Sequence, residues 1–148
     1  MLKQCLIIGT AAALVGCESL GMNDNSARIS AQAPTDAELA AYAGGHQYPA
    51  NQQARNDIRA AAIVNRGDGL IKLYNFSNRP LDSVDVWVNQ SYVQHIRGLP
   101  AGSAPLVIRF RDLYNQLGQR FSSHNEQVRT VQVESNGALY TLEGPGAD

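Results

Sequence analysis

Cys17 is the residue whose type and position most directly indicate chemistry in this chain. It comes directly after Gly16, a small residue of the kind that a signal peptidase requires, and after an apolar stretch over residues 6–15. Lys3 supplies the positive charge that precedes such a stretch in a secretory signal peptide. A thiolate at this point is a nucleophile that can take up a diacylglyceryl group. We therefore expect residues 1–16 to be removed and the mature chain to begin at a lipid-modified Cys17.

A transmembrane anchor is the main alternative for this segment. Spanning a bilayer takes about 20 mainly apolar residues, and the polar residues after Cys17 end the apolar run well short of that length. The run Leu14-Val15-Gly16-Cys17 resembles the lipobox of bacterial lipoprotein precursors. That resemblance implies cleavage before Cys17, acylation with palmitate-type chains and a place in the bacterial cell envelope facing the periplasm. Glu18 stands where an Asp would favour the inner membrane, so the resemblance implies the outer membrane.

Cysteine content and charge narrow the class of protein further. Cys5 and Cys17 are the two cysteines among 148 residues, and we expect the first to leave with the signal peptide and the second to carry lipid. The folded part then has no disulfide, although the compartment is oxidising. Removing 16 residues from 148 leaves 132, well above the ~40 below which a domain needs disulfides or metals. Losing Lys3 changes the formal net charge from −1 to −2, and the sequence has no basic stripe for nucleic acid.

Three histidines and two neighbouring acids are the remaining candidates for metal binding or acid–base catalysis. His46, His95 and His124 are separated by about 30 to 50 residues, whereas zinc ligands show much closer spacing. Asp82 and Asp85 stand around a strand start, where we expect them to point to different faces and to be solvated. The sequence has no Gly-x-Ser-x-Gly elbow, phosphate-binding loop or dinucleotide fingerprint. It therefore predicts no catalytic residue, no metal site and no cofactor.

Aromatic residues on two predicted strands form a candidate ligand face. Trp87 and Asn89 lie opposite the valines of their strand, and Tyr74 and Phe76 share one face of an earlier strand. If these two faces adjoin, the three rings together with Asn89 and Gln94 can bind a sugar or a peptide by stacking. The alternative is that both faces are buried, one by the opposing sheet and the other by an N-terminal helix.

Four segments are expected to position these residues. They are a signal peptide, a flexible tether, a helical or irregular lead-in and a β domain, over residues 1–16, 17–33, 34–57 and 58–148. The tether is rich in Ser, Asn, Ala and Gln, and about sixteen flexible residues span roughly 20 to 24 Å. The tether therefore holds the β domain close to the bilayer.

The lead-in begins with a helix signal. Thr35 and Glu38 have the spacing of a capping box, and Gly44-Gly45 follows as a stop. This pattern predicts a short helix over residues 36–43 that docks through Leu39 and Tyr42. A further helical turn is predicted over residues 52–57.

Short β-type runs separated by turn residues follow from Ile58 onward. Seven strands are predicted, over residues 59–65, 70–76, 83–88, 92–96, 105–110, 128–134 and 138–143. Residues 111–126 are predicted to form a loop. Asp68-Gly69 and Asn136-Gly137 are hairpin signals, and the first hairpin explains the adhesion-like tripeptide Arg66-Gly67-Asp68 without a receptor. In the third strand, the predicted core residues are Val84, Val86 and Val88.

Turn and core residues over Leu70–Phe121 resemble a small β domain that recurs in uncharacterised bacterial proteins. The resemblance is carried by Asn75-Phe76-Ser77, Leu81, Val84, Val86, Trp87, Val88, Asn89, Tyr92, Leu99-Pro100-Ala101-Gly102-Ser103, Phe110 and Gly118-Gln119-Arg120-Phe121. It implies an immunoglobulin-like sandwich, and it transfers no catalytic residue or ligand. Together with the predicted helix, this gives an all-β fold of about seven strands with a short N-terminal helix. We therefore expect a lipid-anchored envelope protein that is not an enzyme, has an interaction or structural role and has an envelope protein as partner. The alternative is a module that binds glycan, peptidoglycan fragments or peptides on the Trp87 face.

Overall fold

The computed structural model of this chain describes residues 33–144. The predicted signal peptide, the predicted lipidation site Cys17 and the predicted tether as far as residue 32 lie outside the described residues, as do residues 145–148. The described residues from Pro34 onward form one compact unit. The described part is mostly β structure with one short α-helix, which confirms the predicted all-β class.

Helix α1 spans Asp36–Gly45 and so extends two residues beyond the predicted end. The predicted capping box is present: the Glu38 amide donates to Thr35 Oγ1 over 3.3 Å, and the Thr35 amide donates to Glu38 Oε2 over 2.7 Å. So short a helix is marginal in water by itself. Burial of Leu39 and Ala43 against a sheet therefore stabilises it.

Eight strands form two antiparallel sheets. The strands are β1 Ala60–Asn65, β2 Leu70–Asn75, β3 Leu81–Val88, β4 Tyr92–Leu99, β5 Gly102–Arg109, β6 Tyr114–Asn115, β7 Val131–Ser135 and β8 Ala138–Thr141. The order is β1-β2-β5 in a three-stranded sheet and β6-β4-β3-β7-β8 in a five-stranded sheet. Seven of these strands match the predicted ones within a few residues. The eighth, β6, lies in the segment predicted as a loop, where a 3₁₀ turn over Phe110–Asp112 precedes it.

Hairpin turns occur where the turn residues predict them. Asn136-Gly137 has φ angles of 50° and 72°, the left-handed geometry that makes Asn-Gly favourable in a two-residue turn. Gly69 closes the turn from β1 to β2 at a φ of 65°, and its amide donates to the Arg66 carbonyl over 3.3 Å. Asn89-Gln90 turns β3 into β4 with φ angles of 52° and 59°. Because neither of these two is a glycine, side-chain contacts must hold that turn in place.

The two sheets pack face to face on a shared apolar core, in a sandwich-like arrangement. Inward side chains of both sheets meet there, among them Ile71, Leu73, Val84, Val86, Val88, Ile108, Val131 and Val133. The three valines predicted as the core face of β3 are fully buried, which confirms that prediction. Each side chain of this size stabilises the fold by about 1.5–3 kcal/mol when it is fully buried.

Residues 52–57 do not form the predicted helical turn. Arg55 instead bridges Tyr140 in parallel along the edge strand β8, where the sheet satisfies its backbone hydrogen bonds. Glu143, beyond the end of β8, bridges Ala61 on β1 in the same way. Backbone on the edges of both sheets is therefore paired on this side of the sandwich, and less of it is left for unwanted strand pairing.

Candidate functional site

The outer faces of the two sheets are the candidate functional surfaces, and they differ in what covers them. We call the outer face of the five-stranded sheet the helix-covered face, because α1 packs on it. Its outward side chains include Asp85, Trp87, Val93, His95, Glu134 and Leu139. We call the outer face of the three-stranded sheet the open face, because large apolar side chains are exposed there. Its outward side chains include Ala61, Ile63, Lys72, Tyr74, Phe76 and Val107.

Strand alternation positions the side chains of the open face. Alternate residues of β1, β2 and β5 belong to the core, so the residues between them point outward. Cross-strand pairing places Ile63, Lys72 and Val107 side by side in one row, and it places Ala61 beside Tyr74 in the next. Ile63 is 51% exposed and Val107 is 47% exposed. The three strands therefore present exposed apolar side chains to their surroundings, with Lys72 between Ile63 and Val107.

Tyr74 and Phe76 add an aromatic pair to the open face. Their ring centroids lie 5.5 Å apart with planes 11° from parallel, as expected for two residues that share one side of a strand. This arrangement confirms the prediction that the two rings share a face. Phe76 is 47% exposed, so the pair offers flat apolar area to a binding surface.

Charge on the open face is predominantly positive. Lys72 and Arg109 point outward from β2 and β5, and Arg59 precedes β1 with the same alternation. None of these three cations forms an ion pair with another residue of the range 33–144. Carboxylates occur at the margins of the face, namely Asp68 in the turn after β1 and Glu143 beside the β1 edge.

Trp87 lies on the helix-covered face and is only 1% exposed. It packs with Leu39 and Ala43 of α1, and the Tyr48 ring meets it edge-on with centroids 5.5 Å apart. Its Nε1 donates a hydrogen bond to Glu134 Oε2 over 3.3 Å. The side chain is therefore a core residue of a second apolar cluster between α1 and the sheet.

The predicted ligand face of Trp87, Asn89, Tyr74 and Phe76 is wrong as a single surface. Tyr74 and Phe76 belong to the three-stranded sheet and Trp87 to the five-stranded sheet, so the core of the sandwich separates them. Asn89 is engaged by the backbone of residues 127–130, where its side chain accepts from two amides and donates to one carbonyl over 2.7 to 3.3 Å. Those contacts hold the glycine-free turn between β3 and β4. Of the four residues, Tyr74 and Phe76 remain on an exposed surface.

A polar cluster that sequence reasoning missed joins α1 to the helix-covered face. Tyr42 Oη donates to Asp85 Oδ1 over 2.6 Å, and His95 Nδ1 lies 2.7 Å from the same oxygen. His46, one helical turn after Tyr42, stacks on its ring with centroids 3.8 Å apart. Two histidines that are far apart in sequence therefore contact one tyrosine. The four-residue spacing of Tyr42 and His46 is a signal that could have found the first of these contacts, but no spacing in the sequence indicates the contact with His95.

This cluster fastens α1 to the five-stranded sheet through hydrogen bonds, and we call Tyr42, Asp85 and His95 the latch. Burial and the neighbouring Asp85 carboxylate raise the pKa of Tyr42 well above its ordinary value. Tyr42 therefore stays protonated at neutral pH and acts as a hydrogen-bond donor. Asp85, predicted to be solvated, is partly buried and bonded instead, because α1 lies over it. Within residues 33–144, no group of three or more His, Cys, Asp or Glu side chains is placed to hold a metal ion.

The other predicted candidates lie apart from the cluster. His124 is exposed and, with Arg109 and Arg111, lines a cleft of about 460 Å³ at one end of the sandwich. Asp82 is also exposed, and its carbonyl accepts a hydrogen bond from Ser135 Oγ over 2.8 Å. These residues are thus not brought together with His46 or His95.

Helix α1 has 10 residues. Across the described range 33–144, no helix has the length and apolar character that crossing a membrane requires.

Compared with known proteins, the chain matches no family model, no curated protein and no solved structure.

Proposed function

We propose that this protein is a lipid-anchored component of the bacterial cell envelope, faces the periplasm and has a non-enzymatic role in interaction or structural support. In this proposal the Cys17 thiol carries a diacylglyceryl group with palmitate-type chains, and the outer membrane is favoured because Glu18 stands where an Asp would retain the protein in the inner membrane. Each buried CH₂ contributes about 0.8 kcal/mol, so two or more chains anchor the protein stably where one would not. An envelope protein as partner stays a prediction of the sequence.

The exposure of large apolar side chains on the open face supports the proposed interaction with another envelope component. Ile63, Phe76 and Val107 are each about half exposed, and they lie on one side of one small sheet. Several large apolar side chains exposed together on one face are typical of binding sites. We therefore assign the contact with another envelope component to this face.

An immunoglobulin-like fold type is part of the same proposal. The sheet orders β1-β2-β5 and β4-β3-β7-β8 correspond to the A-B-E and C′-C-F-G arrangements of that type, with β6 as an additional edge strand. This correspondence supports the family resemblance of the sequence. The fold type assigns no ligand of its own.

The polar cluster supports a non-enzymatic role. Hydrogen bonds of Tyr42, Asp85 and His95 are directed at one another and fasten α1 to the sheet. The alternative of a glycan or peptide site on the Trp87 face is less well supported, because α1 and Tyr48 cover Trp87 and leave it 1% exposed.

The anchor is tested by the chemistry of Cys17. We expect labelled palmitate to enter the protein in bacterial cells and mass spectrometry to find an acylated Cys17 at the N-terminus. A Cys17→Ser variant should lose the label and leave the membrane fraction. An unmodified residue 17 in the wild-type product would contradict the anchor.

The interaction role is tested by site-specific photo-crosslinking in cells. A photoreactive amino acid replaces Ile63 on the open face, and the matched control replaces Ala37, an exposed residue of α1. We expect covalent adducts with an envelope component, protein or lipid, from position 63 and none above background from position 37. Equal yields from the two positions would contradict an interaction through the open face.

A further inference from the structure

We infer that the open face lies against the surface of an anionic phospholipid bilayer. This inference rests on the proposed function and names the envelope component that covers the face. Four observations carry it: the position of Lys72, the aromatic pair, the difference in charge between the two outer faces and the reach of the chain before α1.

Lys72 occupies the middle of the open face rather than its rim. It pairs with Ile63 on one side and with Val107 on the other, so its aliphatic stem lies between two apolar side chains. Lysine is depleted in the centre of protein–protein interfaces. At a membrane surface the same side chain buries its stem and extends its ammonium group to the lipid phosphates. The central lysine therefore favours a lipid surface over a protein partner.

The aromatic pair suits the boundary between lipid headgroups and acyl chains. Tyr74 and Phe76 stack nearly parallel, and Phe76 is as exposed as Val107. Tyrosine is enriched at this boundary because its ring is apolar and its hydroxyl remains hydrated. Phe76, Ile63 and Val107 supply apolar area of the kind that inserts between headgroups.

Charge differs between the two outer faces in a way that orients the domain. The open face carries Arg59, Lys72 and Arg109, with the carboxylates of Asp68 and Glu143 at its margins. The helix-covered face and α1 carry four carboxylates together with Arg97, Arg120 and two histidines; the carboxylates are Asp36, Glu38, Asp85 and Glu134. A negative bilayer attracts the first face and repels the second. The field of the membrane therefore turns the open face toward the lipid.

The chain before α1 is long enough for this orientation. About sixteen residues separate Cys17 from Pro34, and fully extended they span at most about 53 to 58 Å. The sheets of a sandwich lie about 10 Å apart, and a packed helix adds about 10 Å. An anchor at Cys17 can thus reach the bilayer although α1 lies on the opposite side of the sandwich from the open face.

Vesicle titration of the full chain tests the inference. An environment-sensitive fluorescent amino acid replaces Ile63, and the matched control carries it in place of Ala37. Both chains also carry Cys17→Ser, so that acylation contributes nothing and any contribution of residues 1–32 is shared. We expect the emission of position 63 to move to shorter wavelength with vesicles of phosphatidylcholine and phosphatidylglycerol. With phosphatidylcholine alone, and at position 37 with either lipid, we expect no shift.

Charge variants sharpen the test. Each cation at the surface of an anionic membrane strengthens binding about five-fold, so Lys72→Gln with Arg109→Gln should raise the lipid concentration at half-maximal shift about 25-fold. Arg97→Gln, an exposed cation of the helix-covered face, is the matched control and should leave it unchanged. Thermal unfolding of each variant shows whether it is folded.

Three results would overturn the inference. One is equal shifts at positions 63 and 37, another is a shift that is the same without phosphatidylglycerol, and the third is a protein rather than a lipid adduct from position 63 in cells. The third result would leave the proposed interaction role intact. An unmodified Cys17 would defeat the proposed anchor without changing the vesicle titration.

Discussion

The helix-covered face and the open face are built from the same strand alternation, yet one is buried and the other is not. Trp87 on the first is 1% exposed, whereas Ile63 on the second is 51% exposed. The strands themselves do not cause this difference. It arises because α1 and Tyr48, which precede the sandwich in sequence, pack on only one of the two sheets.

A strand pattern alone therefore does not show which outer face of a sandwich is available for binding. Apolar and aromatic residues occur on the outer side of both sheets. One set stabilises the fold by packing with a helix, while the other remains for a partner. The latch of Tyr42, Asp85 and His95 makes that choice definite, because it fixes α1 on the five-stranded sheet.

Truncating an aromatic residue on each face should give the largest contrast. Trp87→Ala removes a buried ring between α1 and the sheet, and we expect it to lower the free energy of unfolding by about 3–5 kcal/mol. Phe76→Ala on the open face is the control and should cost less than about 1 kcal/mol. Urea unfolding of both variants measures the difference, and equal losses would contradict the assignment of the two faces.

Asn89 should have the next largest effect, since it holds the turn between β3 and β4. Asn89→Ala removes three hydrogen bonds to residues 127–130 and leaves a non-glycine residue at a φ of 52°. We expect a loss of about 1–3 kcal/mol. Asn89→Gly removes the same bonds but tolerates positive φ, so its loss should be smaller. A larger loss for the glycine variant in urea unfolding would count against this role.

The latch predicts a smaller effect that depends on pH. Tyr42→Phe removes the hydrogen bond to Asp85 and should lower the free energy of unfolding by about 0.5–1.5 kcal/mol at neutral pH. The folded chain raises the pKa of Tyr42 above its ordinary value of about 10. Its stabilisation is therefore complete below pH 10 and is lost as the pH rises above it. The wild type and the variant should converge in alkaline unfolding experiments, and a constant difference would argue against the latch.

The smallest effect on stability is expected on the open face itself. Ile63→Ser and Val107→Ser exchange half-exposed side chains and should each change the free energy of unfolding by less than about 0.5–1 kcal/mol. The same variants should weaken whatever contact the face makes in the envelope. Sedimentation of Cys17→Ser chains, with and without these exchanges, with vesicles that contain phosphatidylglycerol measures that loss, and unchanged binding would speak against the face.

Local patterns were sufficient to predict most of the fold. The capping box at Thr35 and Glu38, the Asn136-Gly137 hairpin and the alternating valines of β3 depend on neighbouring residues, and each is found where predicted. The predicted turn over residues 52–57 was wrong because pairing of Arg55 with the edge of β8 overrides a weak local preference for helix.

The candidate site was predicted less well, for a physical reason. Tyr74 and Phe76 could be placed on one face, since that depends on strand alternation alone. Burial of Trp87 and the convergence of His46 with His95 on Tyr42 depend on where α1 docks. Such contacts join residues far apart in the chain, and no local spacing encodes them.

Oxidative footprinting of aromatic side chains tests the central claim most directly. Tyr74, Phe76 and Trp87 are compared between the isolated protein and the protein in native envelope membranes. We predict that Trp87 is protected in both, while Tyr74 and Phe76 react in the isolated protein and become protected in the membranes. Reactivity of Phe76 that is the same in both, or Trp87 as reactive as Phe76, would contradict the account.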